Sequence, residues 1–475
     1  MDLKKLIFHN TLISLSSKLV SVIVGIVSIN LLTRYLGQSG FGDYSTILAF
    51  LFVFSIFTDL GLYSITIREI AKANAEEERL IINNVFTLRI FSGLIIFGLA
   101  AFSSLFFPYS SQIKIGILIA TLGFWSLAAI QILMCVFQKY LKMEKVALAE
   151  CLSRVVQLFL LLYFVYKNAG FFSIIWAFSL SSLINLILLF IYAKKYVNFS
   201  LNFDFNSWKK ILAQSYPLAL GAVLTMFYFK FDTVLLSLMK SSVEVGIYSL
   251  PYRILEILIF FPSIFTGLIM PPMAKHIFSE PHRFKNIIQK SMDVLLMAAV
   301  PLVIGTILLS QKIIIFLSSI DFVKSVDVLN ILIFATAIIF ISQLFYNIIV
   351  VLEKQKDFIR IFAIGAVFNI VSNLIFIPKY SYYATSFNTV LTELLVIYLM
   401  AMVIIKNLHY LPSFKMLYKF ILAAAVMGVV VYSLSNQFLI IPVIAGAIVY
   451  VICLYLLHAI SEEDIALIFN KNKFI

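Results

Sequence analysis

The chain has 475 residues, of which 62% are hydrophobic and only 12% charged, and its mean hydropathy is +1.04. An ordinary soluble domain is about 45–50% apolar and about 25% charged, so a soluble fold could not hide this much apolar surface. The composition predicts a polytopic membrane protein and excludes disorder, a collagen-like chain and a disulfide-stapled secreted scaffold.

In chain order, fourteen stretches are long and apolar enough to span a bilayer: 11–33, 43–66, 84–107, 113–136, 147–166, 171–193, 212–238, 246–270, 291–310, 327–350, 358–378, 381–405, 418–434 and 439–459. A hydrocarbon core of about 30 Å needs roughly 20 helical residues, and most of these stretches meet that length. The first is too long for a cleaved signal peptide and no small-residue cleavage site follows it, so it is expected to stay as an anchor.

Loop charge sets the orientation. Fourteen spans put both termini on one side, and 24 of the 36 Lys and Arg residues then fall on that side, against 7 on the other and 5 inside spans. By the positive-inside rule both termini are expected in the cytoplasm of a multi-pass protein. The net charge of +13 is thereby an orientation signal and calls for no nucleic-acid partner. The two longest polar stretches, 194–211 and 271–290, are both on the basic side. The opposite face has only short loops, with no room for a catalytic domain.

Cys135, Cys151 and Cys453 lie in or beside apolar segments without a CxxC partner, and they are read as packing residues. No two of the five histidines share ligand spacing, so no metal and no cofactor is expected.

An internal repeat appears at an offset of about 204–211 residues. Gly42-Asp43-Tyr44-Ser45 is echoed by Gly246-Ile247-Tyr248-Ser249, Glu144-Lys145 by Glu353-Lys354, and Lys194-Lys195 by Lys406. The echoes predict an all-α architecture of two parallel six-helix halves, residues 1–200 and 201–410, followed by two further helices in 411–475. Parallel halves are related by an axis along the membrane normal, which favours a transporter that rocks around a central cleft.

Ionisable residues inside spans cost about 2.5–3.5 kcal/mol each on insertion scales, so each needs a reason. They are Lys18, Asp59, Arg89, Arg154, Lys230, Asp232, Arg253, Glu256 and Glu393, and six of the nine sit on the first two spans of a half. Lys18, Lys230 and Arg253 are the candidate cleft cations, suited to an anionic head group. Asp59, Asp232 and Glu256 are their candidate counter-charges, or take up protons or sodium during a transport cycle. Arg89 and Arg154 lie near the basic end and are expected to snorkel. Arg253 and Glu256, three apart on a helix, can also neutralise each other. Lys230 and Asp232 lie about 200° apart around their helix and cannot pair along one face. Pro217, Pro251 and Pro262 are expected to kink spans seven and eight, with Pro271-Pro272 ending the eighth.

The run Leu31–Ser45, the pair Asp59-Leu60-Gly61-Leu62 and Arg68-Glu69-Ile70-Ala71, and Tyr228–Leu236 with Val245–Ser249 and Tyr252–Glu256 together resemble bacterial O-antigen and polysaccharide flippases. That family belongs to the multidrug, oligosaccharidyl-lipid and polysaccharide exporter superfamily. The resemblance implies two six-helix lobes in a V plus helices 13 and 14. It also implies a cargo: an undecaprenyl-diphosphate-linked sugar repeat unit, flipped across the bacterial inner membrane for O-antigen or capsule synthesis, in company with other polysaccharide assembly proteins. A drug exporter of the same superfamily would want an anionic or neutral cleft. A membrane-embedded polymerase or ligase would need a long outer loop, and a scaffold would not need buried charges. The chain is accordingly read as a transporter and not an enzyme.

Overall fold

The computed structural model describes the backbone of residues 3–277 and 279–459, with side chains in that range except 3–16, 18, 19, 214 and 216–229. The described residues form thirteen α-helices and no strand. They are α1 (Leu3–Asp59), α2 (Leu62–Lys72), α3 (Ala75–Ser104), α4 (Ser111–Lys139), α5 (Met143–Tyr166), α6 (Phe171–Ala193) and α7 (Phe205–Met239). They continue with α8 (Ser242–His276), α9 (Pro281–Leu317), α10 (Ser325–Val351), α11 (Gln355–Leu408), α12 (Leu417–Ser433) and α13 (Ile440–Leu456). Helices are the expected element here, because a lipid-bathed backbone must satisfy its own polar groups.

Thirteen of the fourteen stretches each fall on one of these helices, and the second is divided between α1 and α2. α1 carries the first and most of the second, hinged at Gly37 (φ 64°), a backbone setting that a Cβ would strain. α11 carries the eleventh and twelfth, hinged at Ser381 (φ 53°, ψ −134°). The second stretch differs from its expected limits. α1 ends at Asp59, left-handed Leu60 (φ 41°) and Gly61 (φ 77°) turn the chain, and α2 begins at Leu62. α2 is too short to span. Leu62, Ile65, Thr66 and Ile70 are buried on one face, while Arg68 and Lys72 are exposed. The Pro271-Pro272 pair also departs from expectation: α8 runs through it to His276.

The chain divides into two compact units. The first comprises Met1–Ser249, Leu317–Asp321 and Ile370–Tyr382. Its core joins Leu62 and Ile65 of α2, Val85 and Phe86 of α3, Ile132 and Leu133 of α4, and Leu189 of α6. The second comprises Leu250–Phe316, Phe322–Asn369 and Tyr383–Ile475. In it the Tyr450 hydroxyl of α13 donates to the Met297 carbonyl of α9 at 2.9 Å, and a Cβ on Gly428 of α12 would touch Ile304 of α9. The Gln289 side chain of α9 both donates to the Ser413 carbonyl (2.9 Å) and accepts its N–H (2.8 Å), so the α11–α12 loop is clasped to α9. Large apolar residues remain exposed on both units, Phe106 and Leu268 among them, as lipid-facing surfaces require.

Candidate functional site

Within the first unit, close backbone approaches and hydrogen bonds gather at the end away from the basic loops. The Gly42 turn of α1 and the Gly246 turn of α8 lie against each other. A Cβ on Gly42 would overlap the Ser242 carbonyl, and one on Gly246 would overlap the Gln38 carbonyl. The Asp43 carboxylate accepts the Ser242 hydroxyl at 2.5 Å and the Gln112 amide at 3.2 Å. Thr33 donates to the Leu317 carbonyl at 2.8 Å, and Gln38 donates to that of Asp321. Glu244 takes the Ser381 hydroxyl at 2.5 Å, and Lys240 donates to the Pro378 carbonyl at 2.9 Å. The Tyr109 hydroxyl bonds Ser237 at 3.0 Å, and burial pushes its pKa up to about 12, so it stays a neutral partner.

The ionisable residues that the sequence singles out lie on several helices, and their surroundings differ. Lys18 lies on α1, and its side chain is outside the described residues. Arg89 does not snorkel. It is completely buried and donates to Asp59 at 2.7 Å, to the Ala128 carbonyl at 3.0 Å and to Gln131. Asp59 ends α1 beside α3, and a buried guanidinium with a carboxylate and two further oxygens in reach has no need of the interface. Asp59 itself is 27% exposed. Arg154 is exposed and lies 3.8 Å from Glu150.

Lys230 of α7 places its ammonium 5.5 Å from the centre of the Phe52 ring of α1. Asp232, two residues on, is buried and accepts the Asn373 amide at 2.8 Å and the Tyr248 hydroxyl at 3.4 Å. The two side chains thus reach different helices, as their angular separation requires. In the second unit Arg253 and Glu256 pair at 3.1 Å on α8, and Glu393 of α11 is buried.

Sequence reasoning missed Asp43, Ser242, Glu244 and Asn373. The repeat echo pointed at Gly42 and Gly246, but nothing in it separated a packing glycine from a polar latch one residue along. Among the described residues, no three His, Cys, Asp or Glu side chains come together as a metal centre would require.

The family model for polysaccharide biosynthesis proteins matches residues 7–277, and that for MatE proteins matches 217–375. No curated protein matches the chain by sequence. Among solved structures, the lipid II flippase MurJ in an inward closed conformation is similar at a TM-score of 0.81 and 16% identity, over 94% of this chain and 99% of that one. An inward-facing multidrug resistance MATE family transporter is similar at a TM-score of 0.66 and 12% identity, over 84% and 98%. A MOP superfamily transporter from Pyrococcus furiosus, described as having a binding pocket of reverse polarity, is similar at 0.55 and 13%, over 86% and 97%. These neighbours are membrane flippases and transporters rather than enzymes, and they share this chain's all-helical two-lobed fold. The described residues include nine helices long and apolar enough to cross a membrane, and with the first family match covering more than half its length, the chain belongs to the polysaccharide biosynthesis protein family.

Proposed function

We propose that the chain is a flippase that moves an undecaprenyl-diphosphate-linked oligosaccharide repeat unit across the bacterial inner membrane for surface polysaccharide synthesis. It does so by alternating access between halves 1–200 and 201–410, with both termini in the cytoplasm and residues 411–475 appended. The observation that carries this reading is the meeting of the repeat-equivalent turns at Gly42 and Gly246, at the end away from the basic loops. A carrier must close one face at a time. A closure made by the same turn of each half, held by hydrogen bonds from Asp43, Gln38 and Glu244, can be broken without unfolding either half.

The family match supports a polysaccharide precursor as cargo. Lys230 and Arg253, with Lys18, supply cations for a diphosphate, where a lysine acts as a point charge and an arginine as a fork. Asp59 and Glu256 then serve as counter-charges to Arg89 and Arg253. Asp232, buried within reach of an amide and a phenol, is a candidate counter-charge or ion-coupling acid of the cycle. A second reading, a drug exporter, is favoured by the MatE match over 217–375. The test is a strain lacking the gene. It should accumulate lipid-linked repeat units on the cytoplasmic leaflet and lose surface polymer, with unchanged resistance to cationic drugs. Altered drug resistance with normal polymer would favour the exporter.

A further inference from the structure

The segment between α6 and α7 has the length of a free tether between two moving halves. It is not placed as one. Three buried side chains within about one turn of α3 bind alternate backbone amides of the segment. Ser200 N–H donates to Asn83 Oδ1 (3.3 Å), Asn202 N–H to Thr87 Oγ1 (3.0 Å) and Asp204 N–H to Asn84 Oδ1 (3.3 Å). The Asn83 amide returns bonds to the Asn198 carbonyl at 3.2 Å and the Ser200 hydroxyl at 2.9 Å. Between these polar contacts, rings alternate. Phe199 lies 5.3 Å from Phe86 and 5.1 Å from Phe190, and Phe203 lies 5.1 Å from Phe91. Past the segment, Asp204 caps α7 by accepting Asn206 N–H at 3.0 Å, and the Trp208 indole donates to the Asn84 carbonyl at 3.1 Å.

An extended backbone must find partners for its amides, and loops ordinarily find them in water. Here a helix that faces lipid elsewhere keeps Asn83, Asn84 and Thr87 almost fully buried to supply them. Asparagine and threonine are poor choices for an apolar helix unless they make such contacts. We propose that residues 198–204 are a docked strap that moves as part of α3 throughout the transport cycle, and not a slack tether between the halves. This rests on the flippase reading for its purpose, though not for its test.

The test places spin labels on cysteines introduced at Arg79→Cys and Leu201→Cys, both exposed, in the full chain reconstituted into lipid vesicles. Labelled parent chain supplies the background from the native cysteines. One narrow distance population is expected, with or without added undecaprenyl-diphosphate oligosaccharide. A second population, or a broad distribution, would overturn the strap. In cells, Thr87→Cys with Asn202→Cys should form an internal disulfide on oxidation and keep at least half the export of its reduced form. Loss of export on oxidation, recovered by reductant, would likewise overturn it. A parent chain that supports no export would sink the flippase reading alone, and the spin-label distances would still decide the strap.

Discussion

Gly42 and Gly246 occupy equivalent places in the two halves of the sequence and press against each other's helices, each against a backbone carbonyl. Backbone cannot rotate away as a side chain can. Gly42→Ala and Gly246→Ala should each force the crossing apart, at a cost of about 1–3 kcal/mol, the range for overpacking. A cysteine at Ser249, buried in the parent, should then label several-fold faster with an impermeant thiol reagent from outside. Unchanged labelling would show that this crossing does not close the outer face.

Asp43 and Ser242 latch the same crossing at 2.5 Å. A hydrogen bond to a charged group contributes about 1.5–3 kcal/mol net. Asp43→Asn and Ser242→Ala should each raise outer-face labelling, and the double variant should raise it by less than the two effects combined. Additive effects in that double-mutant cycle would mean that the pair is not coupled.

Arg89 and Arg253 should fail in different ways. Arg89→Ala empties a buried site and leaves the partly exposed Asp59 without its guanidinium, at a cost toward or below the low end of the range of about 3–5 kcal/mol for breaking a fully buried pair. The amount of folded protein should fall steeply, and Arg89→Lys should restore little because an ammonium cannot bridge Asp59, Gln131 and the Ala128 carbonyl. Arg253→Ala should leave the amount near normal and reduce export. Membrane immunoblots beside export assays check this; equal amounts of both variants would contradict the Arg89 assignment.

The spans were legible because a run of about 20 apolar residues has few soluble explanations. The limit of the second span was not. The apolar residues Leu62 and Ile65 of α2 continue the pattern of α1, and only left-handed Leu60 and Gly61 separate the two helices. Arg89 was misread because distance from a helix end says where a side chain can reach, and not which carboxylate a neighbouring helix offers. Asn373 was passed over because neutral amides carry no insertion penalty comparable to a charge, although it holds Asp232. The strap left one trace in sequence, Asn83-Asn84 within a helix that faces lipid elsewhere, which becomes informative once a partner segment is in view.

Orientation is checked by reporter fusions at residues 200 and 280, both expected on the cytoplasmic side. A periplasmic signal at either would overturn the assignment of the basic loops.

Lys230 is proposed to meet the anionic head group of the flipped lipid. The direct measurement is leaflet-resolved labelling of undecaprenyl-diphosphate oligosaccharide in vesicles containing the purified chain. The parent should move labelled lipid between leaflets, Lys230→Arg should keep much of that rate, and Lys230→Gln should lose at least tenfold at equal protein amount, about 1.4 kcal/mol or more. Normal flipping by Lys230→Gln, or none by the parent, would contradict the account.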